Sequence, residues 1–294
     1  MSLNLNKQGC VSNDDAISRV EAAEKQTLKI AKDFSRLNKE NKSQERALRI
    51  ANFQLPHYVK QLEDNLETIN DAFLGTLRCL ALTADYKDEN TGEHIIRMSR
   101  YTAYLSFCCG YSFDEARNIL FGAPMHDIGK VGIPDAILNK PGRLTEDERK
   151  VIQTHPVIGA DILKGSNSEL IQMAEKIAIS HHERWDGKGY PYGLKATDIP
   201  MVGRIAAVAD VFDALTIKRP YKKPFSDDAA IDLILKEKER AFDPDVVDVF
   251  IKEIDSFIKI KRSIDSAEGD LSKSKLLAKS ETEFLDQMET GIFS

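Results

Sequence analysis

The run Ile205-Ala206-Ala207-Val208-Ala209-Asp210 decides the fold class. Its apolar residues, like those of Ile177-Ala178-Ile179, have apolar partners three and four residues away, which is the period of a helix and not of a pleated strand. Alternating strand patterns are almost absent from the rest of the chain. The punctuation around these runs is helical as well. Ser112 with Glu115 and Thr145 with Glu148 form capping boxes, Gly110 suits a helix C-terminus, and Asp243-Pro244 reads as an N-cap followed by a first-turn proline. Successive helices joined by short loops are expected over residues 85–262, an all-α domain.

Upstream, residues 1–84 are expected to be a separate helical segment. Residues 1–45 are polar and charge-mixed, with weak apolar periodicity. A heptad then emerges: Leu48, Leu55, Leu62 and Ile69 recur every seven residues, and Val59, Leu66 and Phe73 fill the complementary position. Pro56 interrupts the run, so a kink or a fresh helix start is expected there. The stretch from Pro56 to Ala84 would make a helix about 43 Å long. Such a helix can lie on its own domain, or it can pair with a second copy as a parallel dimer stalk that transmits a signal. Downstream, residues 263–294 are charged and serine-rich with isolated apolar residues (Leu276, Leu277, Phe284, Leu285), as in a mobile or loosely docked extension.

Of the 294 residues, 42% are hydrophobic and 30% charged, a globular composition. The net charge of −6 leaves no broad basic field, which argues against DNA or anionic membrane as a partner held by net charge. No apolar run approaches the roughly 20 residues of a membrane span; Ala72 to Ala84 is short and interrupted by Arg78. The N-terminus lacks a signal-peptide layout, and Cys10, Cys79, Cys108 and Cys109 lack zinc-type spacing. A soluble, cytoplasmic protein is expected.

The chemistry gathers around the histidines. His57 stands apart in the helical segment and reads as a surface residue. The other five sit beside acids or small residues, in Gly92-Glu93-His94, His126-Asp127-Ile128-Gly129-Lys130, Thr154-His155-Pro156 and His181-His182-Glu183. With Asp127 and Asp210 they make seven imidazole and carboxylate groups. A tetrahedral zinc site uses about four ligands, so seven match two metal ions better. Oxygen and nitrogen donors without thiolate suit iron or manganese, with zinc possible. Neighbours on a helix diverge by about 100°, so adjacent ligands make sense when each addresses a different ion or one bridges. Asp127 could then lie between two ions, and one of His181 and His182 could ligate while its neighbour braces or binds the other ion. Two ions ~3.5–4 Å apart hold a bridging hydroxide as nucleophile and clamp a phosphate for in-line displacement.

These motifs together resemble the HD-GYP domain, a branch of the HD phosphohydrolase superfamily. The resemblance is carried by Met125-His126-Asp127-Ile128-Gly129-Lys130-Val131-Gly132-Ile133-Pro134, by Thr154 to Gly159, and by His181-His182-Glu183-Arg184-Trp185-Asp186-Gly187-Lys188-Gly189-Tyr190-Pro191. Ala209 to Thr216 and Arg219-Pro220-Tyr221-Lys222 complete it, and the match runs in order from about Ala84 to about Phe257. It implies an HD-type helical bundle with a two- or three-iron centre that hydrolyses cyclic dinucleotides, chiefly cyclic di-GMP, to pGpG and often on to GMP. The implied metal ligands are His94, His126, Asp127 (bridging), His155, His181, His182 and Asp210. Lys130 would contact the scissile phosphate, and Arg219 and Lys222 would hold phosphate oxygens. Positive charge placed where negative charge grows in the transition state suits these roles.

One departure bears on the metal count. Three-metal members carry a glutamate four residues before the first histidine, where this chain has Asn90. Two divalent ions, iron or manganese, are therefore expected, with Glu89 or Glu93 as the route to a third, and hydrolysis would stop at pGpG. The loop from Asp186 to Pro191 has turn chemistry that a structural role explains; the resemblance also makes Gly189-Tyr190-Pro191 a docking surface for diguanylate cyclase-type proteins. Asp213 reads as a hydrogen-bonding neighbour of the ligands and Trp185 as a packing residue. Residues 1–84 carry no recognisable sensor motif; the stalk alternative for this helix makes a second copy of the chain a candidate partner. Two other functions fit the pattern: hydrolysis of another cyclic dinucleotide such as 3′,3′-cyclic GMP-AMP, and a module that binds nucleotide or protein without turnover.

Overall fold

The structure, a computed structural model, describes residues 13–87, 92–217, 224–265 and 273–291. These form α1 (Asn13–Lys87), α2 (Glu93–Cys108), α3 (Phe113–Gly122), α4 (Asp135–Leu138), α5 (Glu146–Ile152) and α6 (His155–Leu163). There follow α7 (Glu169–Ser180), α8 (Met201–Thr216), α9 (Asp227–Lys236), α10 (Pro244–Lys252), α11 (Ile254–Asp265) and α12 (Lys273–Glu289). Among the described residues there is no strand, only an isolated bridge between Lys238 and Phe242. The all-α expectation holds, and both Val/Ile runs lie inside helices, α7 and α8. Ser112 and Thr145 cap α3 and α5 in reciprocal capping boxes, and the Asp243 carboxylate caps α10 ahead of Pro244.

The chain divides into two compact units, Met1–Asn70 and Asp71–Ser294, so the boundary falls inside α1. Helix α1 runs unbroken through Pro56, so no fresh helix starts there. Proline removes one backbone donor and crowds the preceding turn, but in a long helix each further residue still adds a bond, and propagation carries across the gap. In the first unit the heptad residues Leu48, Leu55, Val59, Leu62, Leu66 and Ile69 are all exposed.

In the second unit the end of α1 turns one face inward: Leu74, Leu77, Ala81 and Ala84 are buried, while Phe73 and Leu80 remain partly exposed. Every residue of α2 from His94 to Ser106 is buried, as expected of a helix at the centre of a bundle. Tyr101 of α2 stacks on Phe257 of α11 at 4.9 Å, and Phe212 of α8 meets both rings and Phe250 of α10 edge-on. This aromatic knot holds together α2 and α8, the helices that carry His94 and Asp210.

The tail carries α12, which packs against α2. Phe284 and Met288, four residues apart on one face, are buried, Arg100 lies over the Phe284 ring, and Arg78 donates to the Glu281 carboxylate at 3.0 Å. The side chains of Leu276 and Leu277 lie outside the described residues.

Candidate metal centre

His126 and Asp127 lie between two short 3-10 turns, Ala123–Met125 and Ile128–Gly132. The second turn is pressed onto α6 at Gly129, where a Cβ would come within 1.9 Å of the His155 carbonyl oxygen. That approach is open only to glycine, and it brings the Asp127 carboxylate to the His155 ring. Helix α7 ends at Ser180, so His181 and His182 follow where the chain leaves the helix. His94 stands in the first turn of α2 and Asp210 midway along α8.

Seven side chains remote in sequence converge in two groups. Asp127, His155, His181 and His182 have ligand atoms within 4.8 Å of one another, as do His94, His126 and Asp210. Each group can hold one metal ion, a two-metal arrangement. The adjacent residues His126 and Asp127 serve different groups. His181 and His182 share one group, with ring centroids 4.0 Å apart, and are not divided between the two groups. The pair lies beyond the end of α7, where helical divergence does not set the angle between neighbours.

Asp127 faces both groups. Its Oδ1 is 3.1 Å from His155 Nε2 and 3.6 Å from His181 Nε2, and its Oδ2 is 3.2 Å from His126 Nε2. Lys130 Nζ lies 2.7 Å from the same Oδ2. The histidines are oriented from behind. His126 Nδ1 donates to the Ala123 carbonyl at 3.0 Å, His155 Nδ1 to Ile152 at 2.7 Å, and His181 Nδ1 to Ala178 at 3.0 Å. His94 Nδ1 donates to Asp213 Oδ2 at 2.7 Å, and Arg97 Nε holds the other Asp213 oxygen at 2.6 Å. With each Nδ1 occupied, the Nε2 lone pairs point into the cluster.

This orientation leaves His126 Nε2, His155 Nε2, His181 Nε2 and Asp127 Oδ1 buried without a hydrogen-bond partner. Imidazole lone pairs face a carboxylate, acceptor against acceptor, an arrangement that cations resolve. Burial works against the Asp127 charge, but Lys130 and His126 hold its carboxyl well below the usual range. Burial alone would lower the His126 imidazole, yet Asp127 outweighs it and holds His126 up at about 9. One proton on His126 settles one opposition and leaves those at His155 and His181. Burial keeps His181 and His182 below the ordinary imidazole value, so these two are neutral donors.

A family model described as the HD domain matches residues 84–246, more than half of the chain. The chain belongs to the HD-domain family. The cyclic di-GMP phosphodiesterase response regulator RpfG of Xanthomonas campestris pv. campestris is 46% identical over 177 residues, 60% of this chain and 47% of that protein. The 3′3′-cGAMP-specific phosphodiesterase 2 of Vibrio cholerae is 43% identical over 185 residues, 63% of this chain and 35% of that protein. A cyclic di-GMP phosphodiesterase of Thermotoga maritima is 42% identical over 193 residues, 66% of this chain and 52% of that protein. The chain thus spans about half or less of the length of these relatives.

Around the ligands of this HD domain, Arg97 escaped the sequence reading. It lies three residues after His94 on α2, and a cation in a helix buried throughout is the signal that could have revealed it. Tyr190, which the sequence placed in a docking or structural loop and not in the chemistry, covers His182 with ring centroids 4.7 Å apart. Glu183 ties down the loop that carries Tyr190, accepting from the backbone N–H of Tyr192 at 2.8 Å and of Leu194 at 3.0 Å. Trp185 packs under Arg204, and His57 is exposed on α1. Glu93 faces Arg97 at 3.7 Å. Asn90, Glu89, Arg219 and Lys222 lie outside the described residues. No described helix is long and apolar enough to cross a membrane.

Proposed function

We propose that this HD domain is a metal-dependent phosphodiesterase that opens the ring of a cyclic dinucleotide, cyclic di-GMP foremost, to give linear pGpG. The observation that carries the reading is the Asp127 carboxylate, whose two oxygens face two separate groups of inward-pointing imidazoles. His94, His126 and Asp210 would hold one ion and His155, His181 and His182 the other, with Asp127 bridging. A pair of divalent cations in such a site supplies an activated water and a clamp for phosphate oxygens. Iron fits the donor set best and manganese next.

The chain's own groups do the rest. The backbone carbonyls behind His126, His155 and His181 fix which ring nitrogen faces the reaction. Lys130 holds its ammonium at the edge of the cluster, where a phosphodiester would develop negative charge on attack. Arg219 and Lys222 are assigned to the remaining phosphate oxygens on the resemblance. The relatives named above act on cyclic di-GMP or on 3′3′-cGAMP, which share the phosphodiester that this centre would engage; hydrolysis of 3′,3′-cyclic GMP-AMP is the second reading.

The test is elemental analysis of anaerobically purified protein together with product identification from both cyclic dinucleotides. Two metal ions per chain and pGpG as product are expected. Asp127→Ala should lose metal and activity together. Lys130→Ala should keep its metal but raise the barrier by about 2 kcal/mol or more, roughly thirtyfold in turnover. Metal-replete wild type that turns over neither substrate would leave a binding module instead.

The exposed seam of α1 is assigned to a second copy of the chain, as a parallel coiled coil. Val59, Leu62, Leu66, Ile69, Phe73 and Leu80 follow one heptad register. Leu74, Leu77, Ala81 and Ala84, about a quarter-turn around the helix, are already spent on the core.

A further inference from the structure

Next to the ligand cluster lies a cavity of about 430 Å³ whose wall includes His181 and His182. We propose that it seats one purine base of the substrate, an inference that rests on the phosphodiesterase reading above. One side is formed by Ala207, Val211 and Leu215, successive turns of α8, the helix that also carries Asp210. Leu233 and Ile234 of α9 line it as well. The Tyr190 ring, tilted 30° from that of His182, contributes an aromatic surface.

A purine has two flat apolar faces and a polar edge. Its faces need aliphatic and aromatic walls, and its edge needs one donor and one acceptor side by side. The lining supplies that pair in Arg184 and Glu237, whose charged ends meet at 3.2 Å and are both partly open to solvent. Ring nitrogens and exocyclic groups of a base can exchange hydrogen bonds with such a pair without burying an unpaired charge. The placement suits the substrate as well. In a nucleotide the base is one ribose away from its phosphate, and here His181 and His182 belong both to the ligand cluster and to the cavity wall.

Leu233 is the residue to change, because it lines the cavity, is partly exposed, and lies on α9, a helix that carries none of the ligand residues of the proposed centre. Leu233→Trp fills the space; Leu233→Asp, which adds no bulk, puts a charge against the base should the indole disturb α9. With either variant we expect KM for cyclic di-GMP to rise at least tenfold, with metal content and hydrolysis of bis(4-nitrophenyl) phosphate, a diester without a base, as in the wild type. An unchanged KM overturns the assignment. If wild type cleaves neither the dinucleotide nor the simple diester, the phosphodiesterase reading fails, and the cavity is judged by calorimetric titration of the metal-loaded protein with guanosine 5′-monophosphate. Binding that weakens at least tenfold in the variants supports a base seat; equal binding, or none to wild type, overturns it.

Discussion

Asp213 binds no ion in the proposed centre, yet it decides how His94 presents its ring. Its carboxylate takes the His94 Nδ1–H and is held in turn by the buried Arg97. Burial opposes the Asp213 charge, but His94 and Arg97 keep its pKa below the ordinary value, so it remains an acceptor at neutral pH. Replacing it by Asn removes the charge and not the shape. Asp213→Asn should weaken metal binding in the His94 group by about 10–100-fold, so that metal content falls from two ions per chain towards one; full occupancy by elemental analysis would refute the role. A second residue-scale consequence concerns protons. Without metal, His126 titrates at about 9 against an ordinary value of 6.5. Its proton therefore favours the metal-free fold fully below pH 6.5 and ceases to do so as pH rises through 9. A cation on the same nitrogen must displace that proton. Affinity of the His94 group should rise with pH up to about 9, and uptake at pH 7 should release a proton from His126. Calorimetry in buffers of different ionisation enthalpy reads this release, and heats independent of buffer would contradict it.

Among the elements, the short turn after Asp127 does the most positioning for its size. It is pressed on α6 at Gly129, and Lys87 at the end of α1 donates to the carbonyls of Val131 and Ile133 at 2.8 Å each. A methyl group at position 129 has no room beside the His155 carbonyl, so the turn or α6 must move. Gly129→Ala should cost about 1–3 kcal/mol of stability, the scale of overpacking a tight contact. It should also lower metal content, because the two elements it drives apart carry Asp127 and His155. A variant with wild-type Tm and metal content would show that the contact is soft. Helix ends were legible in sequence because a cap needs only neighbouring residues, as at Ser112, Thr145 and Asp243. Helix continuity was less so: Pro56 is a breaker by local rule, and only the whole of α1 shows that it is overridden. The tail was legible only as a mobile or loosely docked extension, since Phe284 looks isolated until Met288 is seen to share its buried face.

At the scale of the molecule, α1 belongs to both units, and its apolar seam stays uncovered in the first. Sedimentation of the full chain should give the mass of a dimer. Paired substitution of Leu62 and Leu66 by Asp, in the first unit, should give a monomer that keeps its metal. A monomeric wild type at micromolar concentration would overturn the pairing. The proposed activity and the proposed pairing are independent claims: the ligands all lie in the second unit, the substituted seam residues in the first.

The sequence by itself determined that the protein is helical, where most helices start, and which imidazoles and carboxylates are exceptional. Period, caps and residue chemistry are properties of neighbours along the chain, and they survive without coordinates. Only the tertiary structure decided the partition of the seven groups into two sets, the sharing of one set by His181 and His182, and the Arg97–Asp213–His94 chain. It alone brought α8 and α9 together around a cavity beside His182. Those features depend on where helices end and on which atoms meet across α2, α6 and α8. Such distances arise from packing between residues that are remote in sequence, and no local pattern encodes them.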